Sequence, residues 1–484
     1  MQQKSLKINF IMNAVLTISA FIFPLISFPY VSRILGPSGT GNVSFATSIV
    51  AYFALFAQLG IPTYGIRATA RVRDDKELLS RTVQEIFIIN ILMSILTYIV
   101  FFVVLNIVPQ MSDDKLLFMI VSSTIFFNAI GMDWLYKGLE KYTYITTVSI
   151  LFKFIALILM FILIHQKRDY VIYGAISIFA ASASNICNLL NVHKYIYLKP
   201  IGNYDFKVHL RPICIFFAMA CATTIYTNLD TVMLGFMKSN TEVGYYNAAV
   251  KIKTVLLGVV TSLGAVLLPR ASYYIENNLI DEFKRISSKA INFVILISFP
   301  LALYFIIFAK EGIFFLSGDA YAKAILPMQI LMPTLIFIGL TNIMGIQMLI
   351  PLGKEKVVLY SEIAGAIVDL AINTVLIPIM ASSGAAIGTL VAEMVVWIVQ
   401  YIALKEDVKE TYVKIRYLPI VIGLAISALF SMPIKLLGLS SFFTLLLSAI
   451  VFFGVYLVVL TVAKEKLVNE IEFQILEKIL KKGE

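Results

Sequence analysis

Apolar segments long enough to cross a bilayer recur from one end of the chain to the other, and this pattern constrains the fold most. They lie near residues 8–30, 43–59, 86–108, 116–136, 144–164, 170–190, 212–237, 243–268, 291–308, 325–350, 357–380, 384–403, 418–434 and 442–462. A transmembrane helix needs about 20 apolar residues, and only helices or closed barrels satisfy their backbone inside lipid. The sequence therefore predicts an all-α integral membrane protein with about fourteen transmembrane helices.

The charge composition excludes several other classes of protein. Only 14% of the residues are charged, against roughly 25% in soluble proteins. The net charge of +10 comes from short basic clusters between apolar runs, whereas nucleic-acid binding needs a basic stripe or domain. The three cysteines lie inside apolar stretches, and the three histidines lack metal-ligand spacing. We expect no nucleic-acid partner, no metal site and no cofactor.

The basic clusters also predict the orientation of the chain in the membrane. With the N-terminus in the cytoplasm, 28 lysines and arginines fall on the cytoplasmic side and 8 fall outside, as the positive-inside rule requires. The first apolar run is too long for a signal peptide, so it is expected to remain as the first helix. Fourteen helices then place both termini in the cytoplasm.

The two halves of the chain resemble each other. Arg33-Ile34-Leu35-Gly36, then Gly39 and Gly41, follow the first apolar run, and Val232-Met233-Leu234-Gly235, then Gly244, follow the seventh. Six helices per repeat is an even number, so the two repeats are parallel, which is a transporter architecture. We predict an N-lobe over 1–200, a C-lobe over 201–410, two further helices over 411–463, and a cytoplasmic amphipathic tail over 464–484.

The stretch from Pro29 to Pro37, followed by Gly39 and Gly41, resembles the signature of Wzx-type polysaccharide flippases of the MATE/MOP transporter superfamily. The stretches Tyr64–Arg67 and Gly138–Lys141 agree with it. The resemblance implies alternating access and an undecaprenyl-diphosphate-linked oligosaccharide as cargo, for capsule, O-antigen or teichuronic-type polymers. It also implies membrane lipids, a polysaccharide polymerase and a chain-length regulator as partners.

Cations embedded in apolar helices are the first candidates for binding such an anionic cargo, because buried charge is costly in a membrane. They are Lys153, Lys251 and Lys253. The last two are separated by about 200° on a helix, so both cannot face one cavity. The alternative role of Lys251 and Lys253 is a structural ion pair with Asp230. The alternative role of Lys153 is an ion pair with a carboxylate in its own lobe.

Arginines and neutral polar groups complete the candidate cargo site. Arg33 lies at the outer mouth, and Arg67 and Arg270 end equivalent helices at the cytoplasmic face; ordinary loop or positive-inside roles are equally open. Sugar hydroxyls favour amides and aromatic faces, and helix packing is the alternative role for these residues. The neutral candidates are Asn13, Tyr64, Tyr245, Tyr246 and Asn247.

Embedded acids are the candidates for energy coupling. No P-loop is present, so transport depends on a proton or sodium-ion gradient or on cargo concentration. We rank Asp369 first, then Glu393, then Asp230, with neutralisation of buried lysines as the alternative.

Three other functions compete with the flippase reading. A membrane glycosyltransferase or polymerase needs an acidic or His/Arg cluster, usually in a sizeable outer loop, and the longest outer segment, 309–324, holds only Glu311 and Asp319 as acids. The chain is therefore expected not to be an enzyme. A MATE-like exporter of small molecules would share the fold but favour net acid within its helices. A structural scaffold leaves the repeat and the buried charges unexplained.

Overall fold

A computed structural model describes residues 6–262 and 264–470, and in this part of the chain all regular structure is helical. The first eleven α-helices are α1 (Leu6–Gln58), α2 (Ile61–Val72), α3 (Lys76–Ile107), α4 (Pro109–Ser112), α5 (Lys115–Gly131), α6 (Asp133–Gly138), α7 (Tyr142–Leu163), α8 (Tyr170–Ser182), α9 (Ser184–Asn191), α10 (Lys207–Met237) and α11 (Asn240–Val260).

The remaining helices are α12 (Gly264–Glu276), α13 (Ile280–Ile307), α14 (Ala309–Ser317), α15 (Ile325–Leu331), α16 (Thr334–Thr341), α17 (Glu355–Met380), α18 (Ser382–Ala403), α19 (Lys405–Lys414), α20 (Tyr417–Ser431) and α21 (Ser441–Val462). Short 3₁₀ turns cover Lys167–Asp169, Val192–Lys194, Asp319–Ala324 and Met432–Leu437. A π-helix covers Asn342–Leu349.

Helix α3 shows how the sequence suits lipid rather than water. Asp75 caps its N-terminus by accepting hydrogen bonds from the backbone N–H groups of Glu77 and Leu78. Along the helix, Asn90 is only 3% exposed, whereas Leu92 is 61% exposed. Polar groups inside and large apolar groups outside are the reverse of a soluble helix, and they identify the outer face as lipid-facing.

The number of membrane crossings differs from the sequence prediction. In the described residues, ten helical stretches have the length and composition to span, or eleven if one bent pair counts as a single span. Residues 11–72 form one of the ten, α5 has only 17 residues, and α11 carries Lys251 and Lys253. Helix covers each of the fourteen predicted segments, but fourteen crossings remain a prediction.

Helix α1 folds back on itself at Gly36. A straight helix would separate Leu16 and Gln58 by about 63 Å at 1.5 Å per residue, yet both line the same cavity. Gly36, at φ 67° and ψ −179°, is the one non-helical residue in α1. These angles lie in a region that is essentially restricted to glycine. The predicted segments 8–30 and 43–59 are therefore two arms joined at one glycine.

The predicted continuous helix over 325–350 is wrong, because the structure breaks it after Leu331. The segments on the two sides of Met332-Pro333 differ in direction by 46°. Proline cannot donate a backbone hydrogen bond and disturbs the preceding turn of helix. The second segment continues into the π-helix, whose wider hydrogen bonding often occurs at functional sites.

The described chain forms two compact units that divide between Gly244 and Tyr245. The first unit includes α10, which the repeat assigns to the C-lobe, so the predicted lobe boundaries remain a prediction. In the predicted tail, residues 471–484 lie outside the described residues.

Two repeat glycines bring helix ends together inside the first unit. A Cβ on Gly41 would overlap the Asn240 carbonyl, and a Cβ on Gly244 would overlap the Pro37 carbonyl. Each glycine therefore lies against the backbone four residues before the other. This reciprocal contact, which we call the glycine crossing, holds the second arm of α1 against the start of α11.

Candidate functional site

A polar cavity of about 240 Å³ lies inside the first unit, and a second of about 380 Å³ adjoins it. Gln58, Pro62 and Asn128 line both. We call the two together the first-unit cavity. Polar side chains of the smaller part are Gln58, Asn128, Asp133, Trp134, Lys137, Ser149, Ser184, Asn185 and Asn188. Those of the larger part are Thr47, Gln58, Thr63, Thr124, Asn128, Thr224 and Asn228.

Two glycines make room for two polar side chains of the first-unit cavity, Trp134 and Asn185. A Cβ on Gly65 would come within 2.5 Å of the Trp134 indole, and a Cβ on Gly131 would overlap the Asn185 amide. Asn185 donates a hydrogen bond to Asn128 Oδ1 at 3.3 Å. The Tyr64–Arg67 motif thus contributes a glycine that lets the indole lie directly against α2.

The charged residues that line the cavity neutralise each other. Lys137 Nζ lies 2.6 Å from Asp133 Oδ2, one turn away on α6. The remaining polar lining residues are neutral amides, hydroxyls and an indole. The cavity therefore offers neutral hydrogen bonding in the interior of an otherwise apolar bundle.

Lys153 lies one helical turn beyond the cavity wall. Its Nζ donates to Ser19 Oγ at 2.8 Å, and the neighbouring turns of the same two helices contribute Ser149 and Leu16 to the lining. Among the described residues no carboxylate pairs with Lys153. The alternative of an ion pair inside its lobe is therefore not what the structure shows.

The structure buries a hydrogen-bonded triad of Tyr64, His209 and Glu85 that was not predicted from the sequence. The Tyr64 hydroxyl lies 2.6 Å from His209 Nδ1, and His209 Nε2 lies 2.7 Å from Glu85 Oε2. Glu85 also accepts the Asp205 backbone N–H at 2.7 Å. A neutral imidazole donates a hydrogen bond from Nε2–H to the carboxylate and accepts one at Nδ1 from the tyrosine hydroxyl. This triad ties α2, α3 and α10 together.

No local sequence signal could have revealed this triad, because Tyr64 and Glu85 are 145 and 124 residues from His209 in the sequence. Tyr64 was predicted as a cargo contact, but the structure buries its hydroxyl against His209. In the sequence, His209 was only one of three histidines that lack metal-ligand spacing.

Five of the candidate cargo-binding residues in the second unit lie on α11. Tyr246 is buried, and its hydroxyl lies 2.9 Å from Thr389 Oγ1. Tyr245 packs edge-on against Tyr321, with ring centroids 6.2 Å apart. Asn247, Lys251 and Lys253 are half-buried.

Four other candidates are exposed to the surroundings of the chain: Asn13, Arg33, Arg67 and Arg270. Arg33 Nη1 donates to the Pro29 carbonyl at 2.5 Å, within its own helix. None of the four lines the first-unit cavity.

All three candidate coupling acids are buried. Asp369 is 1% exposed, and Glu393 and Asp230 are each 7% exposed. Asn373 donates to Asp369 Oδ1 at 3.2 Å, and a Cβ on Gly388 of the adjacent α18 would come within 2.8 Å of that oxygen. Over the described residues, no three His, Cys, Asp or Glu side chains cluster as metal ligands would.

Comparison with known families identifies the chain. A family model described as "Polysaccharide biosynthesis protein" matches residues 6–275, more than half of the sequence. The chain belongs to this polysaccharide biosynthesis family. A second family model, MatE, matches residues 215–375. The predicted resemblance to Wzx-type flippases of the MOP superfamily is confirmed.

Known proteins match most of the chain in sequence or in fold. An Escherichia coli K12 protein described as an O-antigen transporter is 26% identical over 397 residues, which cover 81% of this chain and 95% of the relative. The lipid II flippase MurJ, in an inward closed conformation, has a TM-score of 0.69 at 16% identity and covers 95% of this chain and 100% of that chain.

An inward-facing multidrug resistance MATE transporter of the MOP superfamily has a TM-score of 0.62 at 15% identity, covering 81% of this chain and 96% of that chain. At these identities the structural matches show the fold. The predicted all-α membrane fold class is confirmed.

Proposed function

We propose that this chain is a flippase that moves undecaprenyl-diphosphate-linked oligosaccharide from the inner to the outer leaflet for surface polysaccharide synthesis. The family match over residues 6–275 carries the proposal. The O-antigen transporter relative, matched over 95% of its length, supports it. A neutral polar cavity inside lipid-facing helices suits the hydrophilic part of such a cargo.

The diphosphate of this cargo requires cationic partners, and the proposal gives that role to the embedded lysines. Lys153 is half-buried beside the first-unit cavity, and Lys251 and Lys253 are half-buried on α11. A lysine is a compact charge with three donors, which suits phosphate oxygens. The exposed Arg67 and Arg270 are proposed to receive lipid headgroups at the entry face.

The side from which cargo enters follows from the distribution of charge. The end of the first unit that carries Arg73, Lys137 and Lys141 is rich in cations, which the positive-inside rule assigns to the cytoplasm. Arg73 pairs with Glu140 at 2.8 Å there. The proposed location is the bacterial plasma membrane with both termini in the cytoplasm.

Ion movement is the proposed energy source. One proton or sodium ion entering with the membrane potential provides about 2.3 kcal/mol per 100 mV, enough to shift a two-state equilibrium. The buried Asp369, Glu393 and Asp230 are the proposed coupling groups. A polysaccharide polymerase and a chain-length regulator are the proposed downstream partners, and no catalysis is proposed.

Flux in proteoliposomes tests the function. Purified chain is reconstituted with lipid-linked oligosaccharide, and the fraction accessible to an externally added glycosidase is followed over time. We expect that fraction to rise only in liposomes that contain the chain. Equal rates with and without the protein would reject the flippase proposal.

The same assay tests the proposed role of Lys153. Lys153→Gln is expected to slow flux by more than tenfold, and Lys153→Arg to retain most of it, because charge binds the diphosphate. Lys115→Gln is the matched control, since Lys115 contacts only the exposed Asn106 amide. Equal flux for Lys153→Gln and Lys115→Gln would reject the cationic role.

Export of small molecules is the second candidate function, favoured by the MatE match over residues 215–375. It predicts uptake of a cationic dye into inverted liposomes under an imposed ion gradient. Dye uptake without movement of lipid-linked oligosaccharide would favour this reading.

A further inference from the structure

Three cavity-lining residues carry polar atoms that have no hydrogen-bond partner among the described residues. Two of them, Trp134 with Nε1 and Asn188 with Oδ1, line the smaller part and are more than nine-tenths buried. The third, Thr124 with Oγ1, lines the larger part. A buried polar group without a partner is costly, so a ligand that pairs with these atoms gains more than it would from groups already bonded.

The chemistry of the lining selects the class of ligand. Amides, hydroxyls and an indole N–H bond to neutral groups that both donate and accept, as sugar hydroxyls do. Aromatic faces such as that of Trp134 pack against the apolar face of a sugar ring. A cationic ligand would find no unpaired acid in the lining, because Asp133 is bound to Lys137. A diphosphate would find no unpaired cation there.

The volume of the cavity limits how much of a cargo it holds. Its smaller part, about 240 Å³, corresponds to about eight waters at about 30 Å³ each, which is the room for one sugar ring. The adjoining part, about 380 Å³, has space for a further ring. Small-molecule sites generally measure about 300–1,000 Å³.

We propose that the first-unit cavity is a saccharide subsite that recognises one or two sugar rings of the cargo through neutral hydrogen bonds and the Trp134 indole. It is distinct from the cations that hold the diphosphate. The inference rests on the proposed flippase function and adds the part of the molecule that reads the sugar. Asn128, Asn185 and Asn188 are its specificity-determining residues.

The position of Lys153 fits this division of roles. It lies one turn beyond Ser149 in the cavity wall, at about 6 Å along the helix axis. A sugar in the cavity would therefore place its linked diphosphate near a cation, with neutral groups left for the ring.

Tryptophan fluorescence tests the subsite directly, because the chain has only two tryptophans, Trp134 and Trp397. Trp397→Phe leaves Trp134 as the sole reporter, and Trp134→Phe leaves Trp397 in the second unit. Each variant, in lipid nanodiscs, is titrated with methyl glycosides of hexoses and N-acetylhexosamines, and with sodium pyrophosphate. Should Trp397→Phe fail to fold, Trp397→Tyr keeps a ring stacked on Tyr401.

We expect at least one glycoside to change Trp134 emission in a saturable way and to leave Trp397 emission unchanged, while pyrophosphate changes neither. Absence of a saturable response from every glycoside, or equal responses from the two tryptophans, would overturn the proposal. A response of Trp134 to pyrophosphate at lower concentration than to any glycoside would also overturn it.

Amide variants separate recognition from folding. Asn188→Ala and Asn128→Ala are expected to raise the glycoside midpoint about 5- to 10-fold, the worth of roughly one hydrogen bond. Asn106→Ala, at an exposed asparagine on α3 that donates within its own helix and accepts from Lys115, is the matched control and should leave the midpoint unchanged. Equal midpoints in all three variants would overturn the assignment of these asparagines.

Flux measured on the Trp397→Phe variant distinguishes failure of the subsite from failure of the function. Movement of lipid-linked oligosaccharide without a Trp134 response rejects the subsite and retains the flippase. A Trp134 response without any movement retains the sugar site and rejects the flippase.

Discussion

His209 has oxygen partners at both ring nitrogens, and this makes it unusual among the buried residues of the first unit. One partner is a carboxylate and the other a phenol, both within 2.7 Å. Removing the donor of a buried acceptor generally costs about 1–3 kcal/mol, and more when the acceptor is a charged group such as a carboxylate. Loss of a neutral hydrogen bond costs about 0.5–1.5 kcal/mol.

His209→Ala is therefore expected to lower the thermal unfolding temperature in detergent far more than Tyr64→Phe. The first change leaves Glu85 buried without its imidazole, and the second removes only the phenol. His193→Ala is the matched control, because His193 is exposed and contacts only a backbone carbonyl. Equal unfolding temperatures for His209→Ala and His193→Ala would show that the hydrogen-bonded triad of Tyr64, His209 and Glu85 contributes nothing to stability.

At this scale the sequence predicted which charges are embedded but not what they contact. Lys153 was recognised because a lysine inside an apolar run is rare. Its Ser19 partner is 134 residues away, and hydropathy carries no information on such a pair. The same holds for the cavity asparagines, which looked like ordinary helix residues until the helices were packed together.

Among the helices, the glycine crossing is a close backbone contact between two segments that resemble each other in the internal repeat. Gly41 and Gly244 are among the glycines by which the two halves resemble each other, and in the structure each contacts the segment that contains the other. Small residues at helix contacts let backbones approach closely in membranes. A side chain at either position has to displace backbone, which is harder than moving another side chain.

Gly41→Ala and Gly244→Ala are each expected to destabilise the chain by at least the upper part of the roughly 1–3 kcal/mol typical of overpacking. Gly454→Ala is the control, because a Cβ on that α21 glycine meets no atom within 4 Å. It should raise stability by about 0.5–1 kcal/mol through helix propensity. Unfolding in detergent measures all three, and Gly41→Ala matching Gly454→Ala would contradict the close approach.

Helix breaks were the least predictable feature of the elements. Hydropathy measures how apolar a segment is and is insensitive to its direction, so 325–350 read as one span. Pro333 was visible in the sequence, but prolines also lie inside helices that stay continuous, as Pro212 does in α10. Whether a helix breaks at a proline depends on whether neighbouring helices satisfy the backbone carbonyl that the proline frees, and hydropathy carries no information on those neighbours.

For the whole molecule, hydropathy predicted the fold class and the resemblance carried by Pro29–Pro37 predicted the family, and the comparisons confirm both. The fold class could be predicted because a bilayer restricts a chain of this hydropathy to few architectures. The repeat could not predict that α10 packs into the first unit, since a repeat shows ancestry and says nothing of which helices pack most closely.

Orientation is tested on single-cysteine variants in a background that lacks Cys187, Cys214 and Cys221. Arg73→Cys is expected to react with an impermeant maleimide only from the cytoplasmic side, and Lys238→Cys only from outside. The expected pattern follows from the positive-inside rule. Labelling of Lys238→Cys only from the cytoplasm would overturn the proposed number of crossings before α11.

The break at Gly36 also has a mechanical meaning. Only the φ and ψ of one residue separate the two helical arms, whereas a loop of several residues would offer many more dihedral angles to absorb a displacement. The first arm can therefore reorient against the second arm only through Gly36, and any displacement that Gly36 does not absorb reaches the second arm and the glycine crossing. The two arms of α1 form a helical hairpin whose hinge is a single glycine.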